Sequence, residues 1–259
     1  MLNKAIPEEQ LRSLKLLVLD SDGVSVPRGT EITEQESETL YEAHIKTFRI
    51  TDEFAKLLNQ LKKKILVCIS SGRNLVYLQS MYEKILGGGT ILQAENGNLS
   101  LIDGTIAQHF FYDEKYFQTL SAMKQDILKL PIKGIEPKQF ILSCHASSEL
   151  KEVYEIVKLR DKNNELKVLW NGEAFDIQKK EVSKGAGLER LMEHLNITRE
   201  QTIAMGDRVN DKELLKTAGI GVSADKEALP AEYWTEGEGM PGEILARYLW
   251  DHLFSTKIL

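Results

Sequence analysis

Two carboxylates, Asp20 and Asp22, stand one residue apart directly after the apolar run Leu16–Leu19 and just before Gly23. The run has the length and composition of a buried strand, and alternation along a strand places both side chains on the same side. Two like charges this close are unfavourable unless a cation or a shared proton relieves them. The pair therefore predicts a site for a cation or for proton transfer at the end of this strand.

Further polar motifs adjoin other predicted elements. Ser71 follows the apolar run Ile65–Ile69, Lys184 opens a predicted helix, and Asp207, Asn210 and Asp211 follow the run Thr202–Met205. The carboxyl ends of parallel strands meet at one edge of an open sheet, where such folds bind ligands. We therefore expect these distant motifs to gather at that edge. Ser70 competes with Ser71, but strand alternation favours Ser71 facing the site.

The residue types suit the transfer of a phosphoryl group. Asp20, Asp22 and Asp207 are candidate ligands of a divalent cation, and oxygen ligands without a nearby His or Cys favour Mg²⁺ over zinc. Lys184 would supply positive charge, and Ser71 a hydrogen-bond donor, to the phosphoryl oxygens. Asp20 is placed to attack phosphorus and form an aspartyl-phosphate, while Asp22 would protonate the leaving oxygen and then activate water. The candidates for binding or orienting the substrate are Gly23, Gly72, Asn210 and Asp211.

Strand-like and helix-like stretches alternate along most of the chain. This alternation predicts an α/β fold with a parallel sheet and right-handed crossovers. From Glu95 to about Lys180 the pattern changes to antiparallel hairpins with helices of their own, which indicates an inserted α+β lobe. The predicted division is a discontinuous core of residues 1–94 and 180–259 with a cap of residues 95–179.

Composition narrows the functional classes. The 259 residues are 42% hydrophobic and 28% charged, and the formal net charge is −6. This balance provides no global basic field for nucleic acid or an anionic membrane, and no apolar run approaches the ~20 residues of a membrane span. The two cysteines, Cys68 and Cys144, are expected to be buried thiols of a cytoplasmic protein without a disulfide, and the polar start Met1–Arg12 is not typical of a signal peptide.

The motifs resemble those of the haloacid dehalogenase (HAD) superfamily of phosphotransferases. The shared pattern is an apolar strand before Asp-x-Asp-Gly, a Ser or Thr after the second strand, an isolated Lys, and Gly-Asp-x-x-Asn-Asp, all in the family's order over nearly the whole chain. The resemblance implies a Rossmann-like core, with Asp20 as nucleophile and Asp22 as acid and base whose backbone carbonyl also contacts Mg²⁺. It implies that Asp207 is the second carboxylate ligand, and that Asn210 and Asp211 orient Lys184, water or substrate.

Within that superfamily the chain looks like the Cof-type sugar-phosphate phosphatases. The features that carry this likeness are Ser71-Gly72-Arg73, Glu95-Asn96-Gly97, the inserted cap, Ser183-Lys184-Gly185 and Leu229–Thr235 with Gly242 following. The likeness implies a small phosphate ester, most simply a sugar phosphate, as substrate.

Two features depart from the Cof-type pattern. Val24 replaces the usual threonine, and the span from Asp22 to Ser71 is long. Within that span, Ile45–Asp52 looks like the hairpin segment of the 3-deoxy-octulosonate 8-phosphate phosphatases, which lack a cap and form tetramers. The segment 28–50 is therefore a candidate flap or surface for homo-oligomer formation.

Two other functions compete with a phosphatase. A phosphomutase would return the phosphoryl group to a sugar, but it needs clustered cations in the cap, whereas Lys133, Lys138, Lys151, Lys158 and Arg160 are spread along it. A non-catalytic binding or assembly module on the same fold would be expected to lose the nucleophile or the Mg²⁺ carboxylate, and both residue types are present. The sequence therefore favours a phosphatase.

Overall fold

The computed structural model describes residues 1–36 and 39–254 of the chain. The described residues form two compact units, each built from separate segments of the chain. The first unit takes residues from Met1–Arg28, Phe48–His109 and the stretch from Ser183 onward. The second takes residues from Gly29–Thr47 and Phe110–Val182.

The first unit is built around a largely parallel sheet. Its strands are β1 (Leu16–Asp20), β4 (Leu66–Ser70), β5 (Thr90–Ala94), β6 (Leu99–Ile102), β7 (Thr105–Gln108), β12 (Thr202–Gly206), β13 (Ile220–Ser223) and β14 (Tyr233–Trp234). Among the described residues their order is β14-β13-β12-β1-β4-β5-β6-β7, and only β6 and β7 run antiparallel to their neighbours. Strand β1 is therefore central, and its five residues are all buried.

Helices of the first unit flank this sheet. They are α1 (Glu8–Ser13), α2 (Asp52–Leu61), α3 (Leu75–Met81), α6 (Lys184–Leu195), α7 (Lys212–Thr217) and α8 (Pro241–Phe254). Helix α2 begins where the Thr51 hydroxyl accepts a hydrogen bond from the Phe54 amide, and its apolar face is buried. One side of the sheet packs Leu16, Val18 and Cys68 against apolar residues of α6 and α7. No helix within the described ranges is both long and apolar enough to cross a membrane.

The second unit has a sheet and a core of its own. Its elements are β8 (Gly134–Glu136), β9 (Leu142–His145), β10 (Leu166–Trp170), β11 (Ala174–Lys179), α4 (Glu114–Ile127) and α5 (Lys151–Arg160). The four strands form an antiparallel sheet in the order β10-β11-β9-β8, and helices α4 and α5 cover its apolar side. A separate hairpin, β2 (Glu31–Glu36) with β3 (Tyr41–Lys46), belongs to the same unit.

The architecture agrees with the predicted α/β fold, but the units divide at other places than the predicted core and cap. Residues 95–109 belong to the first unit, because β6 and β7 extend its sheet beyond β5 instead of pairing with the cap strands. The hairpin of segment 28–50 lies at residues 31–46, earlier than Ile45–Asp52, and it groups with the second unit. Residues 37 and 38 of that segment lie outside the described residues.

Candidate active site

Asp20 ends the central strand of the first unit. Strand β1 pairs in parallel with β12 on one side and with β4 on the other, so three strand ends meet at the edge where Asp20 stands. The Asp20 residue is only 5% exposed, and its Oδ1 lies 2.6 Å from the Lys184 ammonium. Burial raises the pKa of Asp20 well above its ordinary value, and the neighbouring Asp211 raises it further, whereas Lys184 opposes this shift.

Lys184 is the first residue of α6 and is itself buried. The Ser183 hydroxyl caps this helix by accepting a hydrogen bond from the Ala186 amide, which fixes where α6 starts. The Lys184 ammonium lies 2.6 Å from Oδ1 of Asp20 and 2.6 Å from Oδ1 of Asp211. Burial alone would lower the pKa of Lys184, but the two carboxylates outweigh it and raise that pKa. The two carboxylates therefore favour the charged form of this buried lysine.

Asp211 links Lys184 to the loop that follows β12. Its Oδ2 accepts hydrogen bonds from the backbone amides of Asp207, at 3.1 Å, and of Arg208, at 3.3 Å. One carboxylate oxygen thus fixes the loop while the other contacts the lysine. Asn210 lies between these residues in the short 3₁₀ turn Val209–Asp211 and is half-buried.

Asp207 is held through one of its two carboxylate oxygens. The Arg28 guanidinium donates to Oδ2 from Nε at 3.2 Å and from a terminal nitrogen at 2.5 Å. The other oxygen, Oδ1, is buried, and no described residue forms a hydrogen bond with it. Burial raises the pKa of Asp207, and the Arg28 hydrogen bond opposes that shift.

One oxygen from each of Asp20, Asp207 and Asp211 lies within 4.8 Å of the others. Three carboxylates in so small a volume outnumber the Lys184 and Arg28 cations that contact them. All of the available ligand atoms are oxygens, and Asp207 Oδ1 is buried without a hydrogen bond from any described residue. The cluster therefore suits a hard divalent cation such as Mg²⁺. The predicted ligand set was Asp20, Asp22 and Asp207, whereas the structure groups Asp211 with Asp20 and Asp207.

The Asp22 carboxylate has a different partner. Arg73 donates to it from Nε at 2.8 Å and from a terminal nitrogen at 2.6 Å, one nitrogen to each oxygen. This bidentate pair orients the Asp22 carboxylate, whose side chain is 23% exposed. The contact of the Asp22 backbone carbonyl with Mg²⁺, implied by the family resemblance, stays a prediction.

Ser71 lies in the turn that follows β4. Its hydroxyl accepts a hydrogen bond from the Arg73 amide at 3.2 Å, across the half-buried Gly72. A hydroxyl that accepts in this way still has its own proton to donate. The Ser70 hydroxyl instead donates to the Gln93 side chain at 3.0 Å, so the competing serine is directed towards β5.

Gly23 provides the space for the pair formed by Arg28 and Asp207. Its φ of +86° lies in the region that favours glycine. A Cβ atom at this position would lie 2.2 Å from Asp207 Oδ2 and 2.8 Å from Arg28 Nε. The glycine of Asp-x-Asp-Gly is thus required by close packing as well as by its backbone conformation.

Two site residues were missed by the sequence analysis. Arg73 belongs to a motif used there, but an arginine is more often structural or solvated and was left out of the catalytic residues. Arg28 was considered only as the first residue of segment 28–50, the candidate flap or oligomer surface, and 179 positions separate it from Asp207. Its position shortly after Asp-x-Asp-Gly was the feature of the sequence that could have indicated a role in the site.

The chain is similar to haloacid dehalogenase-like hydrolases and to several named phosphatases. Residues 102–226 match the family model of haloacid dehalogenase-like hydrolases. The phosphoglycolate phosphatase of Sulfurisphaera tokodaii is 30% identical over 183 residues, which cover 71% of this chain and 75% of that protein. The phosphoglycolate phosphatase of Methanopyrus kandleri is 29% identical over 176 residues, covering 65% and 73%.

Solved structures show the same fold. A haloacid dehalogenase-like hydrolase from B. subtilis superposes with a TM-score of 0.63 at 20% identity, covering 93% of this chain and all of that one. The C-terminal domain of trehalose-6-phosphate phosphatase from C. albicans gives a TM-score of 0.67 at 16% identity, covering 96% and 97%. At these identities the likeness is one of fold.

Proposed function

This chain belongs to the haloacid dehalogenase superfamily of phosphatases, and from that premise we propose that it is an Mg²⁺-dependent phosphatase that hydrolyses a small phosphorylated metabolite through an aspartyl-phosphate on Asp20. The observation that carries the proposal is the buried group of Asp20, Asp207 and Asp211, in which Asp20 and Asp211 contact the Lys184 ammonium. A structural ion pair would balance its charges, whereas this group keeps an excess of carboxylate.

The carboxylates of Asp20 and Asp207, with the backbone carbonyl of Asp22, would hold the cation. When bound, Mg²⁺ supplies positive charge that offsets the carboxylates and the phosphoryl oxygens. The Oδ1 of Asp207, which accepts a hydrogen bond from no described residue, is the ligand atom that supports this assignment best. Asp211 already contacts Lys184 and two backbone amides, so we propose that it orients Lys184 and the loop after β12 and does not bind the cation directly.

The protein residues can then carry two displacement steps. Asp20 attacks phosphorus, the bond from phosphorus to the leaving oxygen breaks, and Asp22 gives that oxygen a proton. In the second step Asp22 takes a proton from water, the water oxygen bonds to phosphorus, and the Asp20–phosphorus bond breaks to release phosphate. Lys184 favours the ionised form of Asp20 that attacks, against the effect of burial on its pKa, and Arg73 orients Asp22.

The substrate is a phosphate monoester with a small leaving group. The sequence motifs favour a sugar phosphate, while the curated relatives reported above act on phosphoglycolate by name. We therefore propose a small phosphate monoester as the substrate class. Assays with both sugar phosphates and phosphoglycolate will identify the substrate within that class. Cys68 and Cys144, both buried, are consistent with the expected cytoplasmic setting.

Hydrolysis of p-nitrophenyl phosphate by the purified protein tests the proposal. We expect release of p-nitrophenol with Mg²⁺, none with EDTA, and a loss of at least about a thousandfold in Asp20→Asn, because the nucleophile is removed. The exposed Asp251→Asn is the matched control and should keep the wild-type rate. An Asp20→Asn variant that folds and retains the rate would contradict the proposal. Phosphoglycolate and hexose phosphates, assayed next by phosphate release, identify the leaving group.

A further inference from the structure

Arg28 contacts a carboxylate that the proposed function needs for the cation. Both of its donating nitrogens engage Oδ2 of Asp207, and its side chain is 32% exposed, whereas that of Asp207 is 6% exposed. The guanidinium also lies in the electrostatic field of Asp20 and Asp22. It is therefore a partly accessible cation at the side of the acidic group.

Resting on the proposed function, we infer that Arg28 is a substrate-binding residue that competes with the divalent cation for Asp207 and, once released, pairs with the phosphate ester. The assignment gives Arg28 two alternative partners, Asp207 and the phosphate ester. It explains why a guanidinium lies beside a carboxylate that is proposed to bind Mg²⁺.

Charge repulsion supports the competition. A divalent cation at Oδ1 of Asp207 and a guanidinium at Oδ2 of the same carboxylate would be like charges separated by a few ångströms. Even with the screening of bulk water, repulsion between a unit charge and a divalent ion at this range corresponds to about tenfold in affinity. Binding of either cation therefore weakens the hold of Asp207 on the other.

The chemistry of the released group supports the second half of the inference. A guanidinium presents a planar fork of N–H donors that matches the oxygens of a phosphate. Arg28 is followed directly by Gly29, whose φ is +122°. Because glycine has no Cβ, the backbone next to Arg28 can adopt conformations that other residues rarely adopt. The competition then couples the two ligands: bound Mg²⁺ raises the affinity for phosphate, and bound phosphate raises the affinity for Mg²⁺ by the same factor.

Titration calorimetry with Mg²⁺ alone and with inorganic phosphate, on wild type and Arg28→Gln, tests the inference. We expect Arg28→Gln to bind Mg²⁺ about tenfold more tightly and phosphate about tenfold more weakly, with the coupling between them lost. Arg28→Lys keeps the charge but not the fork, so it should bind Mg²⁺ like the wild type and phosphate with intermediate affinity. The matched control is Arg247→Gln, which removes a surface arginine that pairs with Glu243 and should change neither affinity.

The opposite directions of the two effects separate this role from a structural one. A variant that is merely destabilised would bind both ligands more weakly, and that result overturns the inference, as would two unchanged affinities. If the wild type binds Mg²⁺ and phosphate and Arg28→Gln binds both with the same affinities, the role assigned to Arg28 is wrong and the proposed function stands. A wild type that binds neither ligand contradicts both.

Discussion

Replacing Lys184 by methionine should destabilise the first unit strongly. The change removes the ammonium that lies 2.6 Å from both Asp20 and Asp211 while keeping most of the side-chain volume. Breaking a buried ion pair by deleting one partner costs about 3–5 kcal/mol, because the remaining charge stays buried and uncompensated. Since about 1 kcal/mol shifts the melting temperature of a 150–250-residue protein by ~2–4 °C, we expect a decrease of about 10 °C.

The pH dependence of this loss identifies its cause. Burial and Asp211 already raise the pKa of Asp20, and without Lys184 the opposing influence is gone. A carboxyl whose pKa is higher in the folded state than in the unfolded state binds more protons when folded, so stability decreases as the pH rises. The difference between wild type and Lys184→Met should therefore be largest at neutral pH and should shrink in mildly acidic buffer.

Thermal unfolding followed by circular dichroism, at several pH values with EDTA present, measures both effects. The double variant Lys184→Met with Asp20→Asn removes one uncompensated carboxylate and should recover part of the loss at neutral pH. Lys216→Met, on the exposed side of α7, is the control for the loss of a lysine. A Lys184→Met protein that melts within about 2 °C of the wild type at neutral pH would refute the argument from buried charge.

Two further predictions concern single positions. Gly23→Ala should lower the melting temperature more than Gly104→Ala does, because its Cβ would lie 2.2 Å from Asp207 Oδ2 and 2.8 Å from Arg28 Nε. Gly104, with a similar φ of +81°, has no atom within 4 Å of such a Cβ, so its variant should show only the backbone strain of about 1–2 kcal/mol. Equal melting temperatures would contradict the packing argument. Burial, together with His194 and Arg190, lowers the pKa of His109. Its neutral form is therefore favoured in the fold, and stability should decrease as the pH falls below about 6.5, the unperturbed pKa of histidine. Melting temperatures of His109→Gln should fall less steeply over that range, and parallel curves would contradict the assignment.

The predicted site depended on a rule of topology that holds for this chain. Each apolar run that was interpreted as a core strand is a strand of the parallel sheet, so the residues that follow these runs share one edge. That is why Asp20 and Asp207 could be expected to meet although 187 positions separate them. The α/β fold was predicted from the alternation of strand-like and helix-like stretches and the HAD family from the motifs, and both predictions are confirmed.

Other features left no readable pattern in the sequence. The contact between Arg28 and Asp207 depends on how the loop after Asp22 turns, which a periodicity of apolar residues does not encode. Strand β2 is polar over most of its length, so alternation gave no strand signal there. The alternation of Tyr41, Ala43 and Ile45 with polar residues in β3 was an available signal that the sequence analysis did not use. The pairing of β6 with β5 was hidden because a hairpin at residues 98–108 fits equally well in a separate lobe or at the edge of the larger sheet.

The central position of β1 has a consequence for the order of assembly during synthesis. Its neighbour β12 begins at Thr202, so the strand that ends in Asp20 lacks one side of its pairing until most of the polypeptide has left the ribosome. Pairings between such distant segments form slowly because a long loop must close first. Residues 110–182 have their own sheet and core and are complete before β12 is made. The sheet edge that carries Asp20 and Asp207 is accordingly completed only after residues 110–182 have been made, and synthesis that stops before Thr202 leaves that edge incomplete.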